Sequence, residues 1–151
     1  MRAIEVHQAT IGDLTEAAVL FNQYRQFYGQ PSDPDGARAF LYERFVHLES
    51  VIFLARGRLE REAVGFMQLY PTFSSISMQR SWILNDLYVA ESARGQGAAQ
   101  ALLDAAVAYA RQTGSKGLAL STAQDNQVAQ RLYEKNGFVR DTEFYHYDLR
   151  V

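Results

Sequence analysis

Trp82-Ile83-Leu84-Asn85-Asp86-Leu87-Tyr88-Val89 reads as an apolar strand. Arg94-Gly95-Gln96-Gly97-Ala98-Ala99 follows it as a Gly-rich turn that opens a helical run from Ala98 to Arg111. A turn of this kind leaves several backbone N–H groups unpaired at the positive end of a helix, an arrangement that binds phosphate. The stretch therefore predicts a strand–turn–helix unit with a phosphorylated ligand at the turn.

On the N-terminal side, Ile4 to Ala9 alternates as a first strand, and Thr10-Ile11-Gly12-Asp13 has the form of a helix start with Thr10 as N-cap. Leu14, Ala17, Ala18, Phe21, Tyr24, Phe27 and Tyr28 recur at helical spacing until Gly29–Pro34 breaks the run, and a second helix is predicted from Asp35 to about Leu48. The period then changes. Val51–Ala55 reads as a buried strand, Gly57–Arg61 as a hairpin loop, Ala63–Tyr70 as the returning strand, Pro71–Ser77 as a Ser-rich connection and Met78–Val89 as a long third strand. Beyond the helix at 98–113, Gly114 suits a helix C-terminus and Leu118–Thr122 a short strand. Asp125–Lys135 reads as a helix, with Phe138–Arg140 and Glu143–Leu149 as the last strands. The order β-α-α-β-β-β-α-β-α-β-β implies an α/β (α+β by some schemes) fold in which helices pack on a mixed sheet.

The bulk properties narrow the function. A chain of 151 residues with 48% hydrophobic and 21% charged residues fits one soluble domain spanning 1–151. A formal net charge of −2 argues against nucleic acid as a partner. The absence of cysteine excludes thiolate chemistry and disulfides, and the three histidines, His7, His47 and His146, show no metal-ligand spacing. With no signal pattern and no membrane-length apolar run, a cytoplasmic protein without membrane contact is expected.

The ligand at the turn is not a dinucleotide of the usual kind. Gln100 stands where G-x-G-x-x-G needs its third glycine, and Gly117-Leu118-Ala119 occupies the place of the acidic ribose-binding residue. No Gly-Lys-Ser/Thr follows the turn, which removes the P-loop. What remains is Arg94-x-x-Gly97-x-Ala99, and downstream Asn126-x-x-Ala129-x-x-Leu132-Tyr133-Glu134-Lys135-Asn136-Gly137-Phe138. Together with the order of elements, these segments resemble the GCN5-related N-acetyltransferases along nearly the whole chain, with Ala99 in place of the more usual glycine.

The resemblance implies a mixed, mostly antiparallel sheet of about seven strands flanked by about four helices, acetyl-CoA as cofactor, and direct acetyl transfer to the primary amine of a small molecule: a polyamine, an amino acid or an amine xenobiotic. A non-catalytic acetyl-CoA-binding regulatory module and a protein N-acetyltransferase are the alternatives. By the same resemblance, the strands at Ile83–Val89 and Leu118–Thr122 splay apart around the pantetheine arm. Leu87, Tyr88 and Val89 then line that arm, Arg94, Gly95, Gln96, Gly97, Ala98 and Ala99 hold the pyrophosphate, and Asn126 and Ala129 reach the cofactor from the last helix. Tyr133 stands at the position of the proton donor to the leaving sulfur, and a phenol is mostly protonated at neutral pH. Asn126 also suits a plain helix cap, and Tyr133 a packing aromatic.

The base is read from strand parity. Leu84, Asp86 and Tyr88 share one face of an ideal strand, and Ile83, Asn85, Leu87 and Val89 the other, so only one of Asn85 and Asp86 should face the acceptor. With the apolar set under a helix, Asp86 is the candidate base, unless a bulge breaks the alternation. Tyr28, Asn85 and Phe73 are candidates for acceptor binding. The aromatic alternation of Phe144–Leu149 suggests a homodimer contact.

Overall fold

The computed structural model describes residues 3–57 and 61–151; the middle of the expected hairpin loop, 58–60, lies outside the described residues. The elements are β1 (Ile4–Gln8), α1 (Leu14–Phe27), α2 (Pro34–Val46), β2 (Val51–Gly57), β3 (Ala63–Ser74), β4 (Gln79–Val89), α3 (Ala98–Gln112), β5 (Leu118–Ala119) and α4 (Gln127–Lys135). A single 3-10 turn, Ile11–Asp13, leads into α1, where the Thr10 N–H donates to Asp13 Oδ2 at 2.9 Å and the Gly12 N–H to Thr10 Oγ1 at 3.3 Å. These bonds satisfy donors that a helix start leaves open.

The sheet has the order β1-β2-β3-β4-β5. The first three pairings are antiparallel, and β5 joins β4 in parallel at only two positions, Trp82 with Leu118 and Ile83 with Ala119. Phe66 on β3 packs against Phe21 and Tyr24 of α1, within a core that includes Leu41 of α2 and Leu54 of β2. Its neighbour Met67 points to the opposite face, opposite Phe53, whose ring meets Tyr109 of α3. So α1 and α2 cover one face of the sheet and α3 the other. Gly65 permits the close approach of α3, because a Cβ there would lie 3.3 Å from Leu102 Cδ1 and 3.2 Å from the Tyr88 carbonyl.

Contacts divide the chain into two compact units, one up to Leu120 and one from Ser121, and each is described by itself. The first holds the five-stranded sheet with α1, α2 and α3. In the second, α4 is capped by Asn126, whose Oδ1 accepts from the Ala129 N–H at 3.2 Å, and it ends at Gly137 with φ of 92°.

Four expectations are corrected. The sheet has five strands among the described residues, not about seven. Phe138–Arg140 and Glu143–Leu149 form no strand, and Phe144, Tyr145, Tyr147 and Leu149 are exposed. Aromatic alternation fits a pleated surface, but a strand exists only through a paired neighbour, and no ladder reaches these residues. The Leu118–Thr122 strand shortens to Leu118–Ala119 for the same reason. β3 runs through Pro71 to Ser74, where a connection was expected; β2 pairing ends at Leu69, so Pro71 sits on an edge, where proline is tolerated.

The fourth correction bears on the site. In the ladder of β3 and β4, Leu69 pairs with Leu84 but Gln68 with Asp86, which leaves Asn85 as an extra, bulged residue. Leu84 therefore lies on the α3 face with Leu69, and Asp86 and Tyr88 on the α1/α2 face with Gln68 and Phe66. The expected common face of Leu84, Asp86 and Tyr88 does not exist, although Asp86 still faces away from α3.

Candidate active site

Asp86 is a buried carboxylate in the middle of an apolar sheet, only 4% exposed. Its Oδ2 accepts from Gln68 Nε2 at 2.6 Å and its Oδ1 from Asn85 Nδ2 at 3.1 Å. Burial pushes its carboxyl above the usual range, and hydrogen bonds from Gln68, Tyr24 and Asn85 oppose that rise. Gln68 is fully buried, and its Oε1 meets no donor among the described residues. Beside them, the Tyr70 phenol is pushed up to about 12, first by burial and then by the charge of Asp86. It stays a protonated donor at neutral pH.

Asp86 opens into a cavity of about 420 Å³, the size of a small-molecule pocket. Phe21, Tyr24 and Arg25 of α1 form one wall, Asp33 and Phe40 another, and Tyr70, Asn85 and Asp86 the sheet side. The bulge brings Asn85 and Asp86 to the same cavity, where ideal alternation would admit one of them. The roof is tied down through Asn22, which donates from Nδ2 to Ser32 Oγ at 3.1 Å and accepts from the Asp33 N–H at 2.8 Å. Tyr28 and Phe73 do not line this cavity. Tyr28 stacks edge-on against Tyr24 and Phe27 at the surface, and Phe73 is exposed on β3 beneath the Arg80 guanidinium.

The turn after β4 has the expected form. Gly95 and Gly97 take φ of 76° and 91°, values that favour glycine, and open space surrounds the position a Cβ would take at either. Gly97 caps α3 with no side-chain bond, so the N–H groups of the first turn, including those of Ala98 and Ala99, point outward without a side-chain cap. Gln96 stands between the two glycines. Arg94 is braced at the same end, its Nε donating to the Val89 carbonyl at 3.0 Å and its guanidinium lying 5.2 Å from the Phe27 ring and 5.7 Å from that of Tyr88. Among the described residues the ladder on the β5 side of β4 ends at Ile83, so from Leu84 through Leu87, Tyr88 and Val89 that edge has no strand partner and could pair with an extended ligand. An uncapped helix end beside an open strand edge fits a pyrophosphate with an amide-bearing tail.

In the second unit, Asn126 and Ala129 share the cap bond of α4, and Tyr133 is half-buried on the same helix with its ring 5.7 Å from that of Phe138.

The sequence model of the acetyltransferase (GNAT) family matches residues 17–138. This chain belongs to that family. An uncharacterized N-acetyltransferase of Bacillus subtilis (strain 168), YhfO, is 51% identical over 148 residues, covering 98% of both chains. The crystal structure of a probable acetyltransferase superposes with a TM-score of 0.93 at 48% identity over 97% of both chains. The aminoglycoside N-acetyltransferase AAC(6')-Iy, solved in complex with CoA, shares the fold with a TM-score of 0.79 at 21% identity, covering 100% of this chain and 97% of that one.

As a GNAT acetyltransferase the chain is an acyltransferase enzyme, and acetyl-CoA is its acetyl donor. Among the described residues no helix is long and apolar enough to cross a membrane. Sequence reading missed Tyr24, Arg25 and Tyr70 at the cavity, and Gln68 buried behind Asp86. Gln68 carried a usable signal, a polar residue in the apolar run Ala63–Tyr70. Tyr24 was hidden in the aromatic stripe of α1, and nothing local marks Arg25.

Proposed function

We propose that the protein transfers the acetyl group of acetyl-CoA directly to the primary amine of a small molecule bound in the cavity beside Asp86. The observation that carries this reading is the buried Asp86 carboxylate, with raised proton affinity, on the wall of a 420 Å³ cavity and on the strand whose edge is open. A carboxylate held above its usual range is a better base near neutral pH. Asp86 would take the proton that an arriving ammonium must lose, directly or through one water, and Asn85 would orient the amine.

The open edge of β4 at Leu87, Tyr88 and Val89 would pair with the pantetheine amides. The N–H groups of Gly95–Ala99, with Arg94, would hold the pyrophosphate. Acetyl-CoA supplies an acyl group already activated as a thioester. A backbone N–H near Leu87–Tyr88 would stabilise the carbonyl oxygen as charge develops. Tyr133 would protonate the departing sulfur, and Asn126 would serve the cofactor as well as its cap. The family model crosses both compact units, which supports one catalytic domain over 1–151. The exposed aromatics Tyr145 and Tyr147 support a homodimer, checked by sedimentation.

The test is CoA release from acetyl-CoA across a panel of polyamines, amino acids and aminoglycosides. Turnover on a small amine, lost in Asp86→Asn, is expected; binding of acetyl-CoA without release on any amine would overturn the proposal. Tyr133→Phe should lower kcat by about tenfold or more and leave acetyl-CoA affinity unchanged. An unaltered kcat removes Tyr133 from the mechanism.

A further inference from the structure

The cavity beside Asp86 holds a second charge that acetyl transfer itself does not use. Phe21, Tyr24 and Arg25 lie at i, i+3 and i+4 on α1 and present one face to the cavity. The other charged groups around it are occupied. Asp86 takes hydrogen bonds from Gln68 and Asn85. Asp33 accepts from the Gly36 N–H at 3.0 Å at the N-terminus of α2, where the helix dipole offsets its charge. Arg44, whose charge reaches Tyr70, pairs with Glu49 at 3.2 Å. Arg25 lines the same cavity, half-buried, and its guanidinium has no hydrogen-bond or ion-pair partner among the described residues.

An acceptor in this cavity therefore meets a carboxylate at one place and an unmatched guanidinium at another. The ammonium of any amine suits Asp86. A second ammonium, as in a diamine, would face Arg25 as a like charge. A carboxylate would meet a planar fork of donors suited to it. We propose that the acceptor is a zwitterionic amine, one that carries a carboxylate as well as the primary amine, and that Arg25 is the residue that selects it. This rests on the reading of the Asp86 cavity as the acceptor site.

The experiment compares matched acceptors, β-alanine against its amide and a set of free α-amino acids against theirs, with putrescine as the diamine. CoA release gives kcat/KM, and calorimetry gives the affinity of each acceptor in the presence of CoA. The wild-type protein is expected to prefer the acids by about tenfold or more. Arg25→Gln should bring the ratio close to one, Arg25→Lys should keep part of it, and Arg25→Glu should shift preference toward putrescine. An unchanged ratio in Arg25→Gln, with only a lower Tm, would reduce Arg25 to a cation complementing the C-terminus of α1 and overturn the proposal. Amides or putrescine taken as readily as the acids by wild type would also overturn it while leaving the acetyltransferase reading in place. Failure of every amine, acid or not, would overturn both.

Discussion

Asp86 is held at an energetic cost. Burial disfavours its charged form, so the folded chain binds the proton more tightly than the unfolded chain, whose carboxyl titrates near 3.8. Stability therefore falls as pH rises from that value through the folded one; the cost is complete above the folded value and absent below the unfolded one. Asp86→Asn removes it and keeps an acceptor for Gln68. Its Tm should exceed that of wild type at pH 8, the gap should close toward acid, and kcat/KM should fall by about 10²–10⁴-fold. A variant less stable than wild type at pH 8 would contradict this account of the carboxylate. Gln68 tests the same group from the other side. Its 2.6 Å bond favours the charged carboxylate, so Gln68→Leu should raise the proton affinity of Asp86 further. The acidic limb of the kcat/KM–pH profile should move to higher pH; a limb that stays in place would mean that Asp86 is not the titrating base.

The strand β4 and the start of α3 divide the work between them. The bulge at Asn85 rotates the chain so that Trp82 and Leu84 pack toward α3 while Asp86 and Tyr88 turn to the α1/α2 face. One element thus supplies core on one face and a wall of the cavity on the other. The Gly-rich turn works through its backbone. At Gly97, with φ of 91°, a β-branched residue is strained and its side chain would project into the space left open above the N–H groups. Gly97→Val is expected to cost about 1–2 kcal/mol of stability and to abolish CoA binding measured by calorimetry. Retained affinity would show that the phosphates lie elsewhere.

For the chain as a whole, donor and acceptor sites should separate thermodynamically. A ligand at about a hundred times its Kd raises unfolding free energy by about 2.7 kcal/mol. CoA at that excess should raise the Tm of wild type and of Asp86→Asn by similar increments, and should not move that of Gly97→Val. A lost increment in Asp86→Asn would mean that the acceptor wall and the cofactor cradle are one coupled site. The acidic balance of the sequence suits a small acceptor, but charge summed over the surface says nothing of how Arg25 is placed, and on the proposed reading that placement sets the choice among amines.

What the sequence determined by itself was local: the Thr10 cap, the helical stripes, the turn at Arg94–Ala99 and the Asn126–Phe138 segment whose pattern resembles one family. Each depends on backbone preferences within a few neighbouring residues, so spacing alone carries it. The bulge at Asn85, the short β5 and the unpaired Phe138–Leu149 were decided by the tertiary structure, because strand pairing is a relation between segments and not a property of one. So was the cavity beside Asp86, where Phe21, Asp33 and Asp86 meet from three parts of the chain. Burial then gave Asp86 its proton affinity. A carboxylate's chemistry follows from what surrounds it, and residues distant in the chain supply those surroundings.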